Sequence, residues 1–318
     1  MKLAMSNPRW IDFGVKRAFE QRGSCPRITV VTPSYNQGMF LEATIQSILL
    51  QGYPNLEYII IDGGSQDDSV QVIKKYERGI AYWHSRKDCG QADAINQGMR
   101  LATGDILCWL NADDLYLPGT LLQVAKQFME VIGKPHLLYG SALTMREDGE
   151  DLEGGSRVAA VFNPSVLTYW DYIVQPSSFW SRELWLETGE LNINYRYAFD
   201  WEWFIRASKI SQFQHLRRFF SIYRLHASHK TGTGGTARMK EINEIVGRFA
   251  SDYWKRLYRI AFRRYQRILR TRKLLMQMRI PGASVLLPLF YPRILQQAGF
   301  NSRRHLMIIL YMFGLNSA

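Results

Sequence analysis

Cysteine is scarce in this sequence. The 318 residues include three cysteines, an odd number, and their spacing matches no metal-binding or redox motif. They are Cys25, Cys89 and Cys108. This pattern argues against a disulfide framework and predicts reduced thiols, as in a cytosolic protein. With 47% hydrophobic residues, the chain can bury a core as one large domain or two modest ones.

Long apolar runs are also missing. Residues 1–20 mix Lys, Arg and Asp with isolated apolar residues, so no signal peptide is predicted. The longest uncharged apolar stretches are Ile280–Pro292 and His305–Ala318. Both are too short to cross a hydrocarbon layer of roughly 30 Å as a helix. We therefore predict a cytoplasmic protein without a membrane-spanning helix.

Two phosphate-binding motifs are absent. No G-x-G-x-x-G follows the first predicted strand, and no G-x-x-x-x-G-K-[ST] occurs anywhere. The first absence disfavours a dinucleotide-binding dehydrogenase, and the second disfavours a P-loop NTPase.

Acidic residues are scarce in one part of the chain only. From Lys240 onward there are 15 Lys or Arg and 3 Asp or Glu, whereas residues 1–239 contain 25 of each sign. The whole net charge of +12 therefore belongs to the C-terminal part. We predict an N-terminal extension over 1–25, a globular domain over 26–239 and a basic helical region over 240–318.

Short apolar strands alternate with helices in the globular domain. Strands are predicted at Ile28–Val31, Glu57–Ile61, Ala81–Trp83, Asp105–Leu110 and His136–Tyr139, and helices at 39–51, 69–77 and Gln91–Leu101. This alternation is typical of an α/β fold with a parallel sheet. Polar clusters at 32–36, 62–68 and 111–114 follow strands directly, so they should converge on one edge of the sheet.

The cluster Asn111-Ala112-Asp113-Asp114 supplies oxygen ligands of the kind that Mg²⁺ and Mn²⁺ prefer. An equally good interpretation of these four residues alone is a polar turn in which Asp114 caps the next helix.

The order of motifs along the chain helps to decide between metal binding and a polar turn. The motifs are PSYN (33–36), EYIIIDGGSQDDS (57–69), GQADAINQG (90–98), ATGDILCWLNADD (102–114), QPSSFW (175–180) and FDWEWFIR (199–206).

In this order and spacing, the six motifs resemble family 2 glycosyltransferases with the GT-A fold, a Rossmann-like, mixed, mainly parallel sheet between helices. The resemblance implies an enzyme that transfers a sugar from a UDP-, GDP- or dTDP-sugar to an acceptor hydroxyl with inversion. The acceptor would be a glycan or a lipid-linked molecule. By this resemblance Thr32, Pro33 and Tyr35 line the nucleotide pocket, Asp62 takes the base edge, and Asp93 lies near the donor's diphosphate and sugar.

The same resemblance implies a cofactor, Mg²⁺ or Mn²⁺. Asn111 occupies the first position of the D-x-D metal motif and Asp113 the last. An amide brings no charge to a metal, which makes Asp113 the main ligand. His226 or His229 could add a ligand or contact the diphosphate, and a pair of ordinary loop histidines is an equal alternative.

Asp200 matches the family's general base. An acid before an apolar helix is also a common N-cap, and one carboxylate can do both. Aromatic neighbours should desolvate Asp200 and raise its pKa. The motif position favours Asp200 over Glu202, which is expected on the acceptor side of the cleft with Gln175, Pro176 and Phe179. Direct displacement assisted by one base gives inversion.

The basic region contains nine Lys or Arg and no acid over residues 255–273. Arg259, Arg263, Arg267 and Arg270 share one helical face. That face could be merely solvated, but a basic amphipathic helix also suits an anionic membrane surface. The apolar stretch His305–Leu315 suits a membrane interface too. We predict peripheral attachment to the inner leaflet.

Three alternatives belong to other classes. A nucleic-acid-binding protein would not place acidic residues at the strand ends of a neutral domain. A nucleotidyltransferase would show a glycine- and basic-rich loop after the first strand, where this chain has Thr32-Pro33-Ser34-Tyr35-Asn36. A non-catalytic sugar-nucleotide-binding protein is disfavoured only because Asp113 and Asp200 are both present.

Overall fold

The structure is a computed structural model that describes residues 25–146, 155–226, 230, 234–277 and 303–312. The chain divides into two compact units. The first unit contains residues up to 161, 173–193 and 210–225, and the second contains residues 162–172, 194–209 and those from 226 onward. Residues 1–24 of the predicted extension and the stretch Ile280–Pro292 lie outside the described residues. The boundary predicted at residue 240 stays a prediction.

The first unit is built on a mixed sheet whose described strands are β1 to β9 in chain order. Their bounds are Ile28–Ser34, Leu56–Asp62, Tyr82–Ser85, Ile106–Trp109, Leu115–Tyr116, Leu137–Arg146, Ser156–Arg157, Ser178–Ser181 and Phe213–Leu225. Across the sheet the order is β3-β2-β1-β4-β8-β6-β9-β5, and β7 pairs with β6. The predicted α/β class is confirmed.

Strands β1 to β4 form a parallel half, in which β1 lies between β2 and β4, and β3 pairs with β2. Strands β1 and β4 are buried along their whole length, as their continuous apolar runs predict. The helices in this half are α1 (Gly38–Leu49), α2 (Ser69–Lys75) and α3 (Gln91–Leu101). Helix α3 lies so close to β1 that a Cβ on Gly98 would be 2.4 Å from a Val31 methyl carbon. Only glycine permits this approach.

The other half of the sheet is mixed. Strand β8 is antiparallel to β4 and β6, β9 runs parallel to β6, and β5 is antiparallel to β9. The first unit also contains α4 (Thr120–Phe128) and α6 (Arg182–Thr188). The sequence does not predict β9, because exposed Arg217, Arg218 and Phe219 interrupt its apolar pattern.

The described secondary structure of the second unit is helical. Its helices are α5 (Pro164–Leu167), α7 (Phe199–Ala207), α8 (Gly235–Phe249), α9 (Asp252–Gln277) and α10 (Arg303–Met312). The sequence predicts one long helix or a broken pair over Lys240–Met278, and the structure has a pair that breaks at Ala250 and Ser251. None of the helices in the described part of the chain is long and apolar enough to cross a membrane.

Candidate active site

Polar segments meet at the carboxyl ends of β1 and β2, as the sequence predicts. The last residues of these strands, Ser34 and Asp62, are register partners. The backbone N–H of Asn36 donates to the Ser65 hydroxyl over 2.7 Å, and the backbone N–H of Gln66 donates to the Asn36 side-chain oxygen over 2.9 Å. These bonds join the loop after β1 to the loop after β2, so the two form one continuous edge.

The residues predicted to line the nucleotide pocket differ in exposure. Thr32 and Pro33 are buried in β1, and the Thr32 hydroxyl accepts a hydrogen bond from Tyr58 over 3.1 Å. Tyr35 is 63% exposed. The next residue, Asn36, has φ of 51°, in the left-handed region that asparagine tolerates better than most residues. Tyr35 therefore offers an exposed ring at this edge, and Thr32 and Pro33 support the strand behind it.

The Asp62 carboxylate is buried and organises the loop after β2. It accepts hydrogen bonds from the Ser85 hydroxyl (2.6 Å), the Ser65 hydroxyl and the backbone N–H groups of Gly64 (3.2 Å) and Ser65 (2.8 Å). A carboxylate has about four acceptor positions, and one Asp62 oxygen accepts three of these four contacts. Asp62 thus holds the loop in shape, and its contact with a nucleotide base stays a prediction.

The acidic turn, residues 111–114, follows β4 and is tied to α1. The Thr44 hydroxyl on α1 lies 2.8 Å from the carbonyl oxygens of both Ala112 and Asp114. Within the turn, the Asp114 N–H donates to the Asn111 carbonyl over 3.1 Å. Contacts inside the protein therefore set the backbone of the turn.

The Asn111 side chain is the centre of a chain of amides. Its oxygen accepts from the Gln91 amide over 2.7 Å, and its NH₂ donates to the Asp114 carboxylate (3.2 Å) and to the Gln175 amide oxygen (3.3 Å). The Gln175 NH₂ in turn donates to the Trp109 carbonyl over 3.0 Å. We call Gln91, Asn111 and Gln175 the amide chain. It brings together Asn111, predicted for the donor, and Gln175, predicted for the acceptor.

Asp114 is more deeply placed than its sequence position suggests. It is 1% exposed, whereas Asp113 is half-buried. Burial, and next the charge of Asp113, raise the pKa of Asp114 well above its usual range. The backbone N–H of Arg224, at 3.2 Å, the Asn111 amide and the charge of Arg157 oppose that rise. Asp114 is therefore a buried member of the turn, and the motif pattern alone does not reveal this.

Arg224 is a second residue that sequence reasoning misses. Its guanidinium is buried and lies 4.8 Å from the centroid of the Phe40 ring. Burial lowers the pKa of Arg224, and the charges of Asp113 and Asp114 act in the opposite direction. Nothing in the sequence indicates this pairing, because Arg224 and Asp114 lie 110 residues apart on different strand ends. The acidic turn is thus accompanied by its own cation.

The start of α3 lies beside the acidic turn, because Gln91, its first residue, bonds Asn111. Gly90 precedes the helix with φ of 109°, a conformation that favours glycine. The Asp93 carboxylate accepts from the Cys89 N–H and from the Gln97 amide, both at 3.0 Å. Asp93 therefore shapes the turn at the positive end of the α3 dipole, which suits a phosphate group.

Two residues predicted for the acceptor side are buried in the first unit. Pro176 is buried in a short 3-10 segment, Gln175–Ser177. Phe179 has no exposed surface, and its ring centroid lies 5.7 Å from that of Tyr116 and 5.6 Å from that of Phe220. These contacts are packing contacts, and any contact with an acceptor stays a prediction.

Asp200 lies in the second unit, as the second residue of α7. Burial raises the pKa of Asp200, as predicted, against the Trp201 N–H at 2.8 Å and the charges of Lys230 and Arg238. Lys230 is affected in the opposite sense: burial lowers its pKa to about 8, although the charge of Asp200 favours its protonated form. A carboxylate with a raised pKa beside a half-buried amine is suited to proton transfer.

Two further predicted residues lie in the second unit. Glu202 is buried, and both its oxygens accept from the Arg206 guanidinium at 3.0 Å, with Arg248 at 3.6 Å. Its acceptor-side role stays a prediction. His226 is buried, and His229 lies outside the described residues. Among the residues that the structure covers, no group of three or more His, Cys, Asp or Glu side chains is arranged to hold a metal ion.

Comparisons with known proteins identify relatives of this chain. Residues 29–136 match the model of Glycosyl transferase family 2. An uncharacterized glycosyltransferase of Mycobacterium tuberculosis is 30% identical over 193 residues, which are 59% of this chain and 71% of the relative. A PGL/p-HBAD biosynthesis glycosyltransferase of Mycobacterium bovis is 30% identical over 187 residues, 58% of this chain and 70% of the relative.

Two solved structures share the fold. S. aureus TarS in complex with UDP-GlcNAc has a TM-score of 0.54 at 14% identity, covering 91% of this chain and 92% of that one. The mannosyltransferase PcManGT from Pyrobaculum calidifontis, in complex with GDP-Man and Mn²⁺, has a TM-score of 0.50 at 17% identity, covering 96% and 84%. These likenesses confirm the predicted GT-A fold.

Proposed function

This chain belongs to Glycosyl transferase family 2, and we propose that it transfers a sugar with inversion, using Asp200 as the general base. The observation that carries the proposal is the meeting of the loops after β1 and β2 with the acidic turn after β4 on one sheet edge. TarS and PcManGT, which share the fold, bind UDP-GlcNAc and GDP-Man, which supports a nucleoside-diphosphate sugar as the donor.

The donor roles follow from the exposed and charged groups of the first unit. Tyr35 offers a ring on which a nucleotide base can stack. The Asp62 oxygen that accepts from the Ser65 hydroxyl is proposed to meet the base edge, and Thr32 and Pro33 hold the strand behind it. The start of α3, shaped by Asp93, faces the diphosphate with the positive end of its dipole. Arg224 lies among the acids of the turn as an additional cation.

A divalent cation, Mg²⁺ or Mn²⁺, fits the chemistry of the acidic turn in part. Mg²⁺ commonly uses one or two carboxylates together with substrate phosphates, and Asp113 is a half-buried carboxylate that can serve. Asn111 uses its oxygen to accept from Gln91, so Asp113 is the proposed ligand in this turn. The ligand role of His226 stays a prediction. When bound, the cation stabilises negative charge on the leaving diphosphate.

Asp200 supplies the base for the incoming hydroxyl. Its carboxylate takes the proton as the acceptor oxygen attacks the anomeric carbon and the diphosphate leaves. One displacement inverts that carbon. Asp200 must be ionised to accept the proton. Because its pKa is raised, activity should fall on acidification at a pH above the ordinary titration range of aspartate.

The acceptor is proposed to be a hydroxyl of a glycan or of a lipid-linked molecule. The exposed face of α9 is proposed to hold the enzyme at an anionic membrane surface. Arg259, Arg263, Arg267 and Arg270 are exposed on α9. The opposite side of the helix is buried, through Trp254, Leu257, Tyr258 and Ala261. The arginines therefore form a continuous basic surface, and each contributes about 1 kcal/mol near anionic lipid.

Sedimentation with liposomes tests the membrane proposal. The protein should pellet with phosphatidylserine-containing vesicles at low salt, but not at high salt or with neutral vesicles. Replacing Arg259, Arg263 and Arg267 by Glu should abolish pelleting, whereas the matched change at Arg217 and Arg218 on β9 should not. Absence of binding at low salt would refute the proposal.

Thermal unfolding tests the donor. UDP-GlcNAc, UDP-glucose, GDP-mannose and a dTDP-hexose are each added at saturating concentration, with and without Mn²⁺. A donor at about 100 times its Kd stabilises the folded state by about 2.7 kcal/mol, so the matching donor should stand out in melting temperature. A flat response to the whole panel would contradict the proposed function.

A further inference from the structure

Glu241, on α8, contacts the chain directly before α7. Its carboxylate accepts three backbone hydrogen bonds, from the N–H groups of Arg196 (2.8 Å), Tyr197 (2.8 Å) and Ala198 (3.1 Å). All four residues belong to the second unit. Hydrogen bonds to a charged acceptor are about twice as strong as neutral ones. One side chain therefore holds three consecutive peptide units.

The held segment leads straight into the helix of the proposed base. Ala198 is the residue before α7, and its side chain makes no capping hydrogen bond. Asp200 is only two residues further on, so the direction of its side chain depends on the path of residues 196–198. From another helix, Glu241 thus fixes the three peptide N–H groups that lead into α7.

Glu241 itself is on a well-anchored helix. Its neighbours Ile242 and Ile245 are buried, as are Met239 and Val246. Glu244, one turn further on, accepts from the Tyr195 hydroxyl over 3.0 Å and is exposed. Two glutamates of α8 thus contact the same segment, but only Glu241 holds the backbone before Asp200.

We propose that Glu241 is a positioning residue for Asp200, which determines where the carboxylate lies against the incoming hydroxyl. The inference rests on the proposed function, since it needs Asp200 as the base. A displacement of about 1 Å at a reacting group can reduce turnover on the order of 100-fold. Glu241→Gln replaces one acceptor oxygen by an NH₂ group that opposes the backbone N–H groups, and so should displace the segment.

The experiment compares Glu241→Gln with the matched control Glu244→Gln. Turnover is measured as UDP released from UDP-GlcNAc, or GDP from GDP-mannose, whichever the melting screen selects. Hydrogen exchange is measured for the peptide spanning 194–200. We expect Glu241→Gln to lower kcat at least tenfold with KM for the donor and the bound donor stoichiometry unchanged, and to speed exchange in this peptide. Glu244→Gln should stay within twofold of the parent protein.

Two results would overturn the inference: unchanged exchange over 194–200, or a fall in kcat no larger than the loss of folded protein. If Glu241→Gln melts below the assay temperature, Glu241→Asp takes its place, with kcat expected to fall at least fivefold; an unchanged kcat would overturn the inference.

Asp200→Asn separates the hypothesis that Asp200 is the base from the hypothesis that Glu241 positions it. Full activity in Asp200→Asn would refute the base itself, whereas an inactive Asp200→Asn beside a fully active Glu241→Gln would refute only the positioning role.

Discussion

The acidic turn of the first unit and Asp200 of the second unit are two carboxylate sites with different surroundings. Asp114 is buried next to a second acid, Asp113, and burial and that neighbour both raise its pKa. Asp200 is half-buried, and burial raises its pKa while Lys230 and Arg238 oppose the rise. The largest charge effect at Asp114 therefore comes from an acid and favours the neutral form, although Arg157 opposes it, whereas Lys230 and Arg238 favour the carboxylate at Asp200.

This difference matches the work proposed for each site. A base must lose its proton at the working pH, which nearby cations assist. Burial alone does not distinguish the two roles, and the sign of the neighbouring charges does.

The largest expected effect comes from Asp200→Asn. Removing a general base costs on the order of 10²- to 10⁴-fold in rate. Binding of the nucleotide should change less than twofold, because Tyr35, Asp62 and Asp93 are in the other unit. Turnover assays together with calorimetric titration of the nucleotide measure both quantities. Comparable turnover in the variant would refute the assignment and remove the contrast between the sites.

A second test restores the family's aspartate at the turn by Asn111→Asp. The new side chain cannot donate to Asp114 or Gln175, so it places a carboxylate against two acceptors. We expect a loss of about 1–3 kcal/mol in the free energy of unfolding at pH 8. The matched control is Asn163→Asp, because the Asn163 side-chain oxygen accepts from the Val166 N–H, a bond that a carboxylate keeps, and stability should not fall.

The loss in Asn111→Asp should depend on pH. The pKa of Asp114 is raised in the folded state, so the folded state binds its proton more tightly than the unfolded state does. Stability is therefore lost as pH rises from the ordinary aspartate range, about 4, through the raised pKa. Urea unfolding should show a smaller difference from the parent protein at pH 5 than at pH 8. An equal difference at both pH values would contradict this account.

Arg224→Met tests whether the buried cation serves the donor. The change keeps an apolar side chain over Phe40 but removes the charge beside Asp113 and Asp114. We expect nucleoside diphosphate to bind about tenfold more weakly, about 1.4 kcal/mol. Arg218→Met, on the same strand but exposed, is the control and should bind normally. Equal affinities in calorimetric titration would leave Arg224 as a structural residue.

The smallest effect is expected from Lys230→Met. Lys230 favours the ionised form of Asp200, so its removal should raise the pKa of Asp200 and move the acid limb of the turnover profile to higher pH. Lys230 itself has a pKa of about 8, so the profiles should converge above that pH. Turnover measured from pH 5 to 9 tests this shift. A shift in the opposite direction would mean that Lys230 does not act on Asp200.

Local pattern is sufficient to predict much of the fold. Helix α3 begins and ends at the predicted residues, Gln91 and Leu101, because a glycine precedes it and apolar residues recur at helical spacing. Strands β1, β2 and β4 are predicted because each is a short, continuous apolar run. Strand β9 is not predicted, since it carries exposed arginines and gains its place by pairing with β6 and β5.

The candidate site also contains residues that the sequence predicts and residues that only the structure reveals. Motif order identifies Asp113 and Asp200, which lie in segments with a local signature. Arg224 beside Asp114 and Glu241 beside residues 196–198 depend on contacts between segments 110 and 43–45 residues apart. No local pattern encodes such contacts, so the charges and supports around each carboxylate are visible only in the folded protein.

The amide chain limits which side chains position 111 can carry. Its hydrogen bonds all run one way, from Gln91 through Asn111 and Gln175 to the Trp109 carbonyl. An aspartate at 111 would need Gln175 to turn its NH₂ group around, which would set the amide oxygen against that carbonyl. The side chains at positions 111 and 175 are therefore coupled, and a carboxylate at 111 suits this site only together with a change at 175.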